Sequence, residues 1–251
     1  MYCGTGSFLT PVDLPGVFTG DKASIALADV DGDDYVDIIV GTSGIENYLL
    51  INNGAGSFPT FTTLPGGNKF TRQIATGDVN GDDKVDIIIG NNNGDANQVL
   101  INDGTGSFLD NDIVILPGGL YTFSIATADI NGDDKMDIIV GNPNAPSQLL
   151  IGNNDGTFTE SYLPGANYFV RSIFVADVND DGKMDIIIGN GSGGATSNQL
   201  LINDGPNGVT GLQDFSESIL IGGNLWTESI FVAAITSAGA PPTVSNLDTN
   251  V

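Results

Sequence analysis

Residues 78–90 have the sequence DVNGDDKVDIIIG, and close copies of this stretch occur three more times in the 251-residue chain. The copies are DVDGDDYVDIIVG at residues 29–41, DINGDDKMDIIVG at residues 129–141 and DVNDDGKMDIIIG at residues 177–189. Their first aspartates are 49, 51 and 48 residues apart. A period of this length is typical of propellers and solenoids. The sequence therefore predicts a repeat protein rather than one irregular domain.

In each copy, oxygen-bearing side chains occupy positions 1, 3, 5 and 9, and the backbone carbonyl at position 7 offers a further oxygen. A tight loop with this spacing directs alternate side chains to one centre, which suits the six or more oxygen ligands of Ca²⁺. Mg²⁺ fits less well because it retains water and needs a stricter octahedron. We predict four calcium loops that hold about four Ca²⁺ ions. The predicted ligands are Asp29, Asp31, Asp33, Tyr35 and Asp37; Asp78, Asn80, Asp82, Lys84 and Asp86; Asp129, Asn131, Asp133, Lys135 and Asp137; and Asp177, Asn179, Asp181, Lys183 and Asp185.

The alternative for any single copy is an Asp- and Gly-rich surface turn that holds no metal. Four copies keep the oxygen positions while neighbouring residues vary, which favours the metal. The first segment contains five acidic residues and the others four each, together more than half of the chain's 31. Carboxylates about 4 Å apart repel by roughly 4 kcal/mol at an effective dielectric of 20. An EF-hand is disfavoured because position 12 is apolar rather than glutamate and the flanking sequences are strand-like.

Residues 75–108, ATGDVNGDDKVDIIIGNNNGDANQVLINDGTGSF, resemble the FG-GAP/VCBS repeat of integrin α-subunit propellers and of many secreted propeller proteins and lectins. The resemblance implies an all-β fold, a β-propeller in which each unit is a four-stranded blade that holds calcium between its first two strands. It covers four complete units and partial units at both ends. The family usually has glycine at loop position 6, where only Gly182 follows the pattern. Aspartate at the other three positions, Asp34, Asp83 and Asp134, tolerates a left-handed backbone better than most residues.

The repeat pattern predicts a propeller domain at residues 1–235 and an irregular tail at residues 236–251. Residues 4–8, GTGSF, match residues 104–108 in the second half of a unit, so the first unit begins in mid-blade. Residues 226–235 match residues 169–178, but Ala234 replaces the first calcium aspartate. Either the N-terminal strand completes a last blade with residues 225–235, or the chain is part of a longer propeller. Repeats are expected to start near Ser24, Gln73, Ser124, Ser172 and Ser229.

Within one unit, we expect residues 72–77 to form the inner strand and residues 85–89 the second strand. Continuous apolar runs such as IIIG indicate second strands that are buried on both faces. A third strand follows at residues 98–102, and the fourth ends at a Leu-Pro-Gly sequence, where an edge strand tolerates proline. No segment has sustained helical periodicity or the length of a membrane span, so we expect neither helices nor membrane insertion.

Composition excludes several functions. The formal net charge of −24 argues against nucleic acid as a partner, because its phosphates would be repelled. The absence of histidine removes Cys–His and Ser–His catalysis, and the single cysteine, Cys3, removes an intrachain disulfide. Only four glutamates occur, and none recurs in a pair, so we predict no catalytic residues and no enzyme activity. Loops that work at millimolar calcium favour an extracellular or cell-surface location, although residues 1–11 lack the features of a signal peptide.

The predicted blade places the calcium loops on one face and the polar loops between second and third strands on the other. Arg72 and Arg171, the only arginines, precede their calcium loops by six residues; we expect a blade cap or a carboxylate partner rather than an acidic ligand. In four of the five repeats, counting the partial one near the C-terminus, an aromatic residue lies eight residues before loop position 1. In the first repeat, Asp21 stands at this place instead. These aromatics are candidate sugar-binding residues, although we favour packing between blades. They are Phe70, Tyr121, Phe169 and Trp226.

Three functional hypotheses remain. The first is a secreted or surface binding module, adhesive or lectin-like, that uses calcium as a structural clip and binds a glycan or an extracellular protein. The second is a polysaccharide lyase or hydrolase built on a propeller. The third is a non-binding structural repeat segment of a larger surface protein. The polar, variable loops favour the first hypothesis.

Overall fold

The computed structural model describes residues 14, 20–118, 121–143, 145–165, 169–191, 197–206 and 213–219. This part of the chain forms sixteen β-strands and one short 3₁₀ turn at Asp110–Asp112, and it contains no α-helix. No helical segment within it has the length and apolar character needed to cross a membrane. The all-β prediction is therefore confirmed.

The strands form four blades of four strands, and each blade follows one repeat unit. Blade 1 contains β1 (Asp21–Ala28), β2 (Asp37–Ile45), β3 (Tyr48–Ile51) and β4 (Thr60–Thr63). Blade 2 contains β5 (Lys69–Gly77), β6 (Asp86–Asn92), β7 (Gln98–Leu100) and β8 (Ile113–Ile115). Blade 3 contains β9 (Ser124–Ala128), β10 (Asp137–Gly141), β11 (Gln148–Gly152) and β12 (Phe158–Tyr162). Blade 4 contains β13 (Val170–Ala176), β14 (Asp185–Asn190), β15 (Gln199–Pro206) and β16 (Gln213–Ile219).

Successive strands of a blade pair antiparallel in chain order, as expected for propeller blades. The first strand β5 begins three residues earlier than predicted because its pairing with β6 extends to Phe70, which lies opposite Asn92. Blades 1 and 2 are also joined in one sheet, since the end of β2 pairs with the start of β5 and Ser43 lies opposite Phe70. The prediction of four-stranded blades is confirmed, with this additional backbone link.

The core lies between neighbouring blades, and the second strands contribute to it from both faces. Ile87 and Ile89 of β6 pack into a cluster shared with blade 1, whereas Ile88 packs into a cluster shared with blade 3. Their exposed fractions are 0, 1 and 0% for Ile87, Ile89 and Ile88. The continuous apolar run therefore has the two-faced burial that the sequence predicts.

The first strands contact one another from blade to blade, so they form the inner edge of the array. Besides a bond from the Thr127 hydroxyl to the Thr76 carbonyl oxygen at 3.1 Å, one recurring hydrogen bond joins each consecutive pair of first strands. The hydroxyl of Ser24 accepts from Ile74 N–H at 3.0 Å, the Gln73 carbonyl oxygen Oε1 accepts from Ile125 N–H at 3.2 Å, and Ser124 accepts from Ile173 N–H at 2.9 Å. The acceptors occupy one repeat position, which explains why polar residues recur inside these strands.

The fourth strands of blades 1 to 3 are each followed by a buried leucine from the repeated Leu-Pro-Gly sequence: Leu64, Leu116 and Leu163 are 3, 2 and 4% exposed. The phenylalanines after the GTGS-like turns pack against the core clusters, as expected from their spacing: Phe58, Phe108 and Phe158. The N-terminal half-unit, the unit expected to start near Ser229 and the tail at residues 236–251 lie outside the described residues.

Candidate functional site

The four acidic loops connect the first and second strands of the four blades. In the second loop, the carboxylate of Asp78 accepts hydrogen bonds from the backbone N–H groups of Gly81, Asp82 and Asp83, at 2.7, 3.3 and 2.8 Å. The equivalent carboxylates accept the corresponding bonds, three each at Asp29 and Asp129 and two at Asp177. The position 1 aspartate therefore organises the turn around its own carboxylate.

Position 6 of every loop has a left-handed backbone, with φ of 68°, 63°, 60° and 82° at Asp34, Asp83, Asp134 and Gly182. The departure from glycine noted in the sequence therefore leaves the turn intact. Position 4 is left-handed as well, and sequence reasoning missed it. Glycine stands there in the first three loops, whereas Asp180 stands there in the fourth with φ of 59°. The fourth loop has aspartate at position 4 and glycine at position 6, the reverse of the other three loops. This exchange was the sequence signal for a left-handed backbone at position 4.

The position 9 aspartates are buried completely, since Asp37, Asp86, Asp137 and Asp185 are each 0% exposed. Two backbone N–H groups hold each carboxylate, as in Asp86, which accepts from Val79 at 3.0 Å and from Asn102 at 2.8 Å. The other three have equivalent donors. Burial raises the pKa of Asp86 and of Asp137 to about 6, although these donors lower it. A buried carboxylate of this kind is stabilised by a nearby cation.

The position 5 aspartates lie at the solvent side of the loops. Each accepts a hydrogen bond from the backbone N–H of position 7, for example Asp82 from Lys84 at 3.1 Å. In loops 2 to 4 the position 7 lysine also pairs with this carboxylate, at 3.5 Å for Lys84, 3.2 Å for Lys135 and 3.1 Å for Lys183. Loop 1 has Tyr35 at position 7, so its Asp33 has no lysine two residues away.

Loop 1 has the largest concentration of carboxylates. One oxygen from each of Asp29, Asp31 and Asp37 lies within 4.8 Å of the other two. Within the described part of the chain, Asp31 Oδ1 is buried and has no hydrogen-bond partner. Burial and the charges of Asp37 and Asp33 raise the pKa of Asp31. These carboxylate oxygens, one of which accepts no hydrogen bond, are hard ligands of the kind that fits Ca²⁺.

Loops 2 to 4 have asparagine at position 3, and the same turn holds its amide. The backbone N–H of position 5 donates to the amide Oδ1 of Asn80 at 3.1 Å, of Asn131 at 2.9 Å and of Asn179 at 3.1 Å. The predicted side-chain oxygens at positions 1, 3 and 5 therefore belong to one hydrogen-bonded turn, and position 9 closes it at the start of the second strand. The ligand assignments themselves remain predictions.

Three of the candidate sugar-binding aromatics, Phe70, Tyr121 and Phe169, lie at or just before the ends of the inner strands that are opposite the acidic loops. Phe70 and Tyr121 are 42 and 55% exposed, so a large part of each residue is open to solvent. The backbone of Phe70 lies opposite Ser43 of blade 1, and its ring lies beside Gly44 of the same blade. Phe169 is half-buried and forms an edge-to-face contact with Phe123, with ring centroids 5.4 Å apart. Trp226 lies outside the described residues.

Sequence reasoning missed Phe123, whose ring is contacted by both arginine side chains. Arg72 Cζ lies 5.6 Å from the centroid of the Phe123 ring, and Arg171 Cζ lies 4.7 Å from the Phe123 centroid and 4.7 Å from that of Phe169. Distances of this size are typical of cation–π contacts. The expected carboxylate partner is not found for Arg72 within the described part of the chain. The signal available in the sequence was that Phe123 has the same repeat position as the two arginines.

Comparisons with known proteins agree with this architecture. A family model described as FG-GAP-like repeat matches residues 35–89, 78–140 and 131–188, and one described as FG-GAP repeat matches residues 169–208. No curated protein matches the sequence.

Two solved structures are similar to the chain. One is the V. cholerae biofilm matrix protein Bap1, at 19% identity and a TM-score of 0.42, with 71% of this chain and 26% of that chain covered. The other is BBS1N in complex with ARL6DN, soaked with lead, at 14% identity and a TM-score of 0.51, with 87% of this chain and 60% of that chain covered. The chain thus spans about a quarter and three fifths of their lengths. At such identities, the second likeness supports the fold alone.

Proposed function

Because this chain belongs to the FG-GAP repeat family, whose models together match most of it, we propose that its four Asp-rich loops bind Ca²⁺. The bound ions stabilise the propeller blades. The observation that carries this proposal is the fully buried carboxylate at position 9 of each loop, which in loop 1 has an oxygen within 4.8 Å of oxygens of Asp29 and Asp31. Burial without an opposite charge is costly, and a divalent cation offsets that cost.

The loops connect strands in a way that makes calcium a structural clip. Asp78 follows the end of β5, Asp86 begins β6, and the backbone of Asn102, just after β7, donates to Asp86. An ion held by positions 1 and 9 would therefore fix three strands of one blade. A site whose dissociation constant is a hundredfold below ambient calcium stabilises the fold by about 2.7 kcal/mol. We propose no catalytic role for the ion.

The test is calorimetric titration of the metal-stripped chain with Ca²⁺ or Mg²⁺, together with thermal melts. We expect close to four bound Ca²⁺ ions, one for each loop. We also expect a large rise in melting temperature with Ca²⁺ and a smaller rise with Mg²⁺. Absence of calcium binding, or binding that leaves the melting temperature unchanged, would contradict the clip.

We also propose that the propeller is an extracellular binding or adhesion module and that the face opposite the loops binds a glycan. The exposed rings of Phe70 and Tyr121 support this, because they stand beside loops rich in Asn and Ser, and sugars stack on rings while amides bind hydroxyls.

Glycan arrays test this second proposal. Phe70→Ala and Tyr121→Ala should reduce retention on the array. The matched controls are Phe61→Ala and Tyr162→Ala, at residues that are 46 and 56% exposed on the fourth strands. Equal loss in the control variants, or no bound glycan, would remove the sugar-binding face.

A further inference from the structure

Positive charge is concentrated on the face opposite the acidic loops. The chain has only seven basic residues, and three of these are lysines paired with aspartates in the loops. The other four lie near the starts of inner strands: Lys22, Lys69, Arg72 and Arg171. In the described part of the chain, this face has only three carboxylates, Asp21, Glu46 and Asp95, and Asp95 is paired with Lys69 at 3.2 Å. The chain is strongly acidic, but this face is not.

The two arginines lie close together because three consecutive blades contribute the same repeat position. Arg72 of blade 2, Phe123 of blade 3 and Arg171 of blade 4 each precede the first loop aspartate by six residues. Both guanidinium groups lie against the Phe123 ring, at 5.6 and 4.7 Å from its centroid. Arg72 is exposed and Arg171 half-buried. One short ligand can therefore reach both groups.

We propose that Arg72, Phe123 and Arg171 form a binding site for an acidic oligosaccharide that carries carboxylate groups. This inference rests on the proposed glycan-binding face and names its ligand class. Guanidinium groups bind carboxylates through two parallel hydrogen bonds, and stacking on a ring orients them for this contact. The exposed ring of Tyr121, two residues before Phe123, offers a stacking surface for the apolar face of the sugar.

The experiment measures binding of tetrasaccharides by calorimetry at fixed, saturating calcium. The acidic probes are hyaluronan, alginate and pectate tetrasaccharides, and the neutral probes are chitotetraose and cellotetraose. We expect at least one acidic probe to bind in preference to the neutral ones. Arg72→Gln and Arg171→Gln should each weaken that binding by about fivefold, the upper range for an exposed ion pair.

Lys22→Gln is the matched control, because it removes one charge from the same face outside the Arg–Phe cluster and should have less effect. Since Arg72 is exposed, its variant should stay folded, and melts will verify this. Preference for neutral probes, or acidic binding that the arginine variants leave unchanged, would overturn the acidic site while leaving a glycan-binding face. If no probe binds, the proposals of this site and of a glycan-binding face are both contradicted. The calcium proposal is tested separately, by the calcium titration.

A second inference comes from an independent set of hydrogen bonds that joins loops of adjacent blades. Asp37 of loop 1 accepts from Val30 N–H at 3.0 Å, and the Val30 carbonyl accepts from the Asn102 side-chain amide at 2.8 Å. The backbone N–H of Asn102 donates to Asp86 of loop 2 at 2.8 Å. The buried carboxylates of loops 1 and 2 are thereby connected through one asparagine.

Loops 3 and 4 repeat this connection, but loops 2 and 3 do not. Asn203 donates from its side-chain amide to the Ile130 carbonyl at 2.8 Å and from its backbone to Asp185 at 2.8 Å. Blade 3 has Gly152 at the equivalent position, whose N–H still donates to Asp137 at 2.8 Å. A side chain at Gly152 would meet the carbonyl oxygen of Met136, so no equivalent amide can bridge there.

We infer that the calcium loops are coupled in two pairs, loop 1 with loop 2 and loop 3 with loop 4. This inference rests on the proposed calcium binding. An ion that fixes Asp86 fixes the Asn102 backbone, and the Asn102 amide holds the backbone of loop 1 in its binding conformation. Occupancy of one loop therefore raises the affinity of its pair, a coupling between sites that is reciprocal.

Terbium, a luminescent analogue of Ca²⁺, resolves loop 1 from the others because only loop 1 has an aromatic residue, Tyr35, at position 7. Luminescence excited through tyrosine would report loop 1 occupancy, and Tyr35→Phe should abolish the signal. We expect Asp82→Ala, which disables loop 2, to weaken terbium binding at loop 1 about fivefold, the low end of typical coupling. Asp133→Ala, which disables loop 3, should leave it unchanged.

Asn102→Gly completes the experiment, because it installs the residue found at position 152 and keeps the backbone donor to Asp86. In this background, Asp82→Ala should no longer affect loop 1. An effect of Asp133→Ala equal to that of Asp82→Ala, or no effect of either, would overturn the pairing while calcium binding stands. If terbium gives no signal at Tyr35, loop 1 binding itself fails.

Discussion

The aspartates of a single loop differ in burial and in hydrogen-bond partners. Asp78 organises the turn by accepting backbone N–H groups, and Asp86 is buried between two donors. Asp82 is exposed and contacts only its near neighbours in sequence. Removal of the Asp82 carboxylate should therefore separate metal binding from folding, which removal of the other two would not.

We predict that Asp82→Ala lowers the melting temperature in calcium but changes it little in chelator. In calcium the variant loses one ligand, whereas without metal it loses an exposed side chain and relieves repulsion with Asp86. Differential scanning calorimetry under both conditions is the measurement. Asp110→Ala, an exposed carboxylate outside the loops, is the control. An equal decrease with and without calcium would remove Asp82 from the metal site.

At the scale of strands, hydrogen bonds between first strands join neighbouring blades. Ser124 is 1% exposed, and its hydroxyl accepts from the Ile173 N–H of the next blade at 2.9 Å. Alanine at this position would leave that N–H group without an acceptor in a buried place. The cost of an unsatisfied buried donor is about 1–3 kcal/mol.

Ser124→Ala should therefore lower the melting temperature by about 2–12 °C, because 1 kcal/mol corresponds to about 2–4 °C for a chain of this size. Ser24→Ala should cost less because Ser24 is half-buried, and the exposed Ser107→Ala should be neutral. Thermal melts of all three variants in saturating calcium are the measurement. A Ser124→Ala protein as stable as Ser107→Ala would mean that this bond does not stabilise the contact between blades 3 and 4.

Features that depend on nearby residues were predictable from the sequence, and those that join distant ones were not. The loop turns were predictable because Asp78 binds the backbone of residues three to five positions later. The buried IIIG strand was predictable because its apolar run is continuous. In contrast, the bond from Asn102 to Val30 spans 72 residues, and the contact of Arg72 with Phe123 spans two blades. Such contacts depend on how blades are stacked, which the repeat period does not specify.

At the scale of the whole molecule, the buried carboxylates make the metal-free fold sensitive to pH. The pKa of Asp86 and of Asp137 is raised from 3.8 to about 6, chiefly by burial, and that of Asp37 is raised for the same reason. A folded-state pKa above the unfolded value contributes stability that is present below about pH 4 and is lost as the pH rises through about 6. The carboxyls with lowered pKa act in the opposite direction, but they are surface groups held by local bonds: Asp103, Asp155, Glu160 and Asp181.

We therefore predict opposite pH dependences with and without calcium. The melting temperature of the metal-stripped chain should fall between pH 4.5 and 6.5, because the buried aspartates ionise without a counterion. In saturating calcium it should rise over the same range, because protons compete with the ion for these carboxylates. Calorimetric melts across this range in both conditions are the measurement. A melting temperature that rises with pH in the metal-stripped protein would show that the buried carboxylates are already compensated by the fold and need no cation.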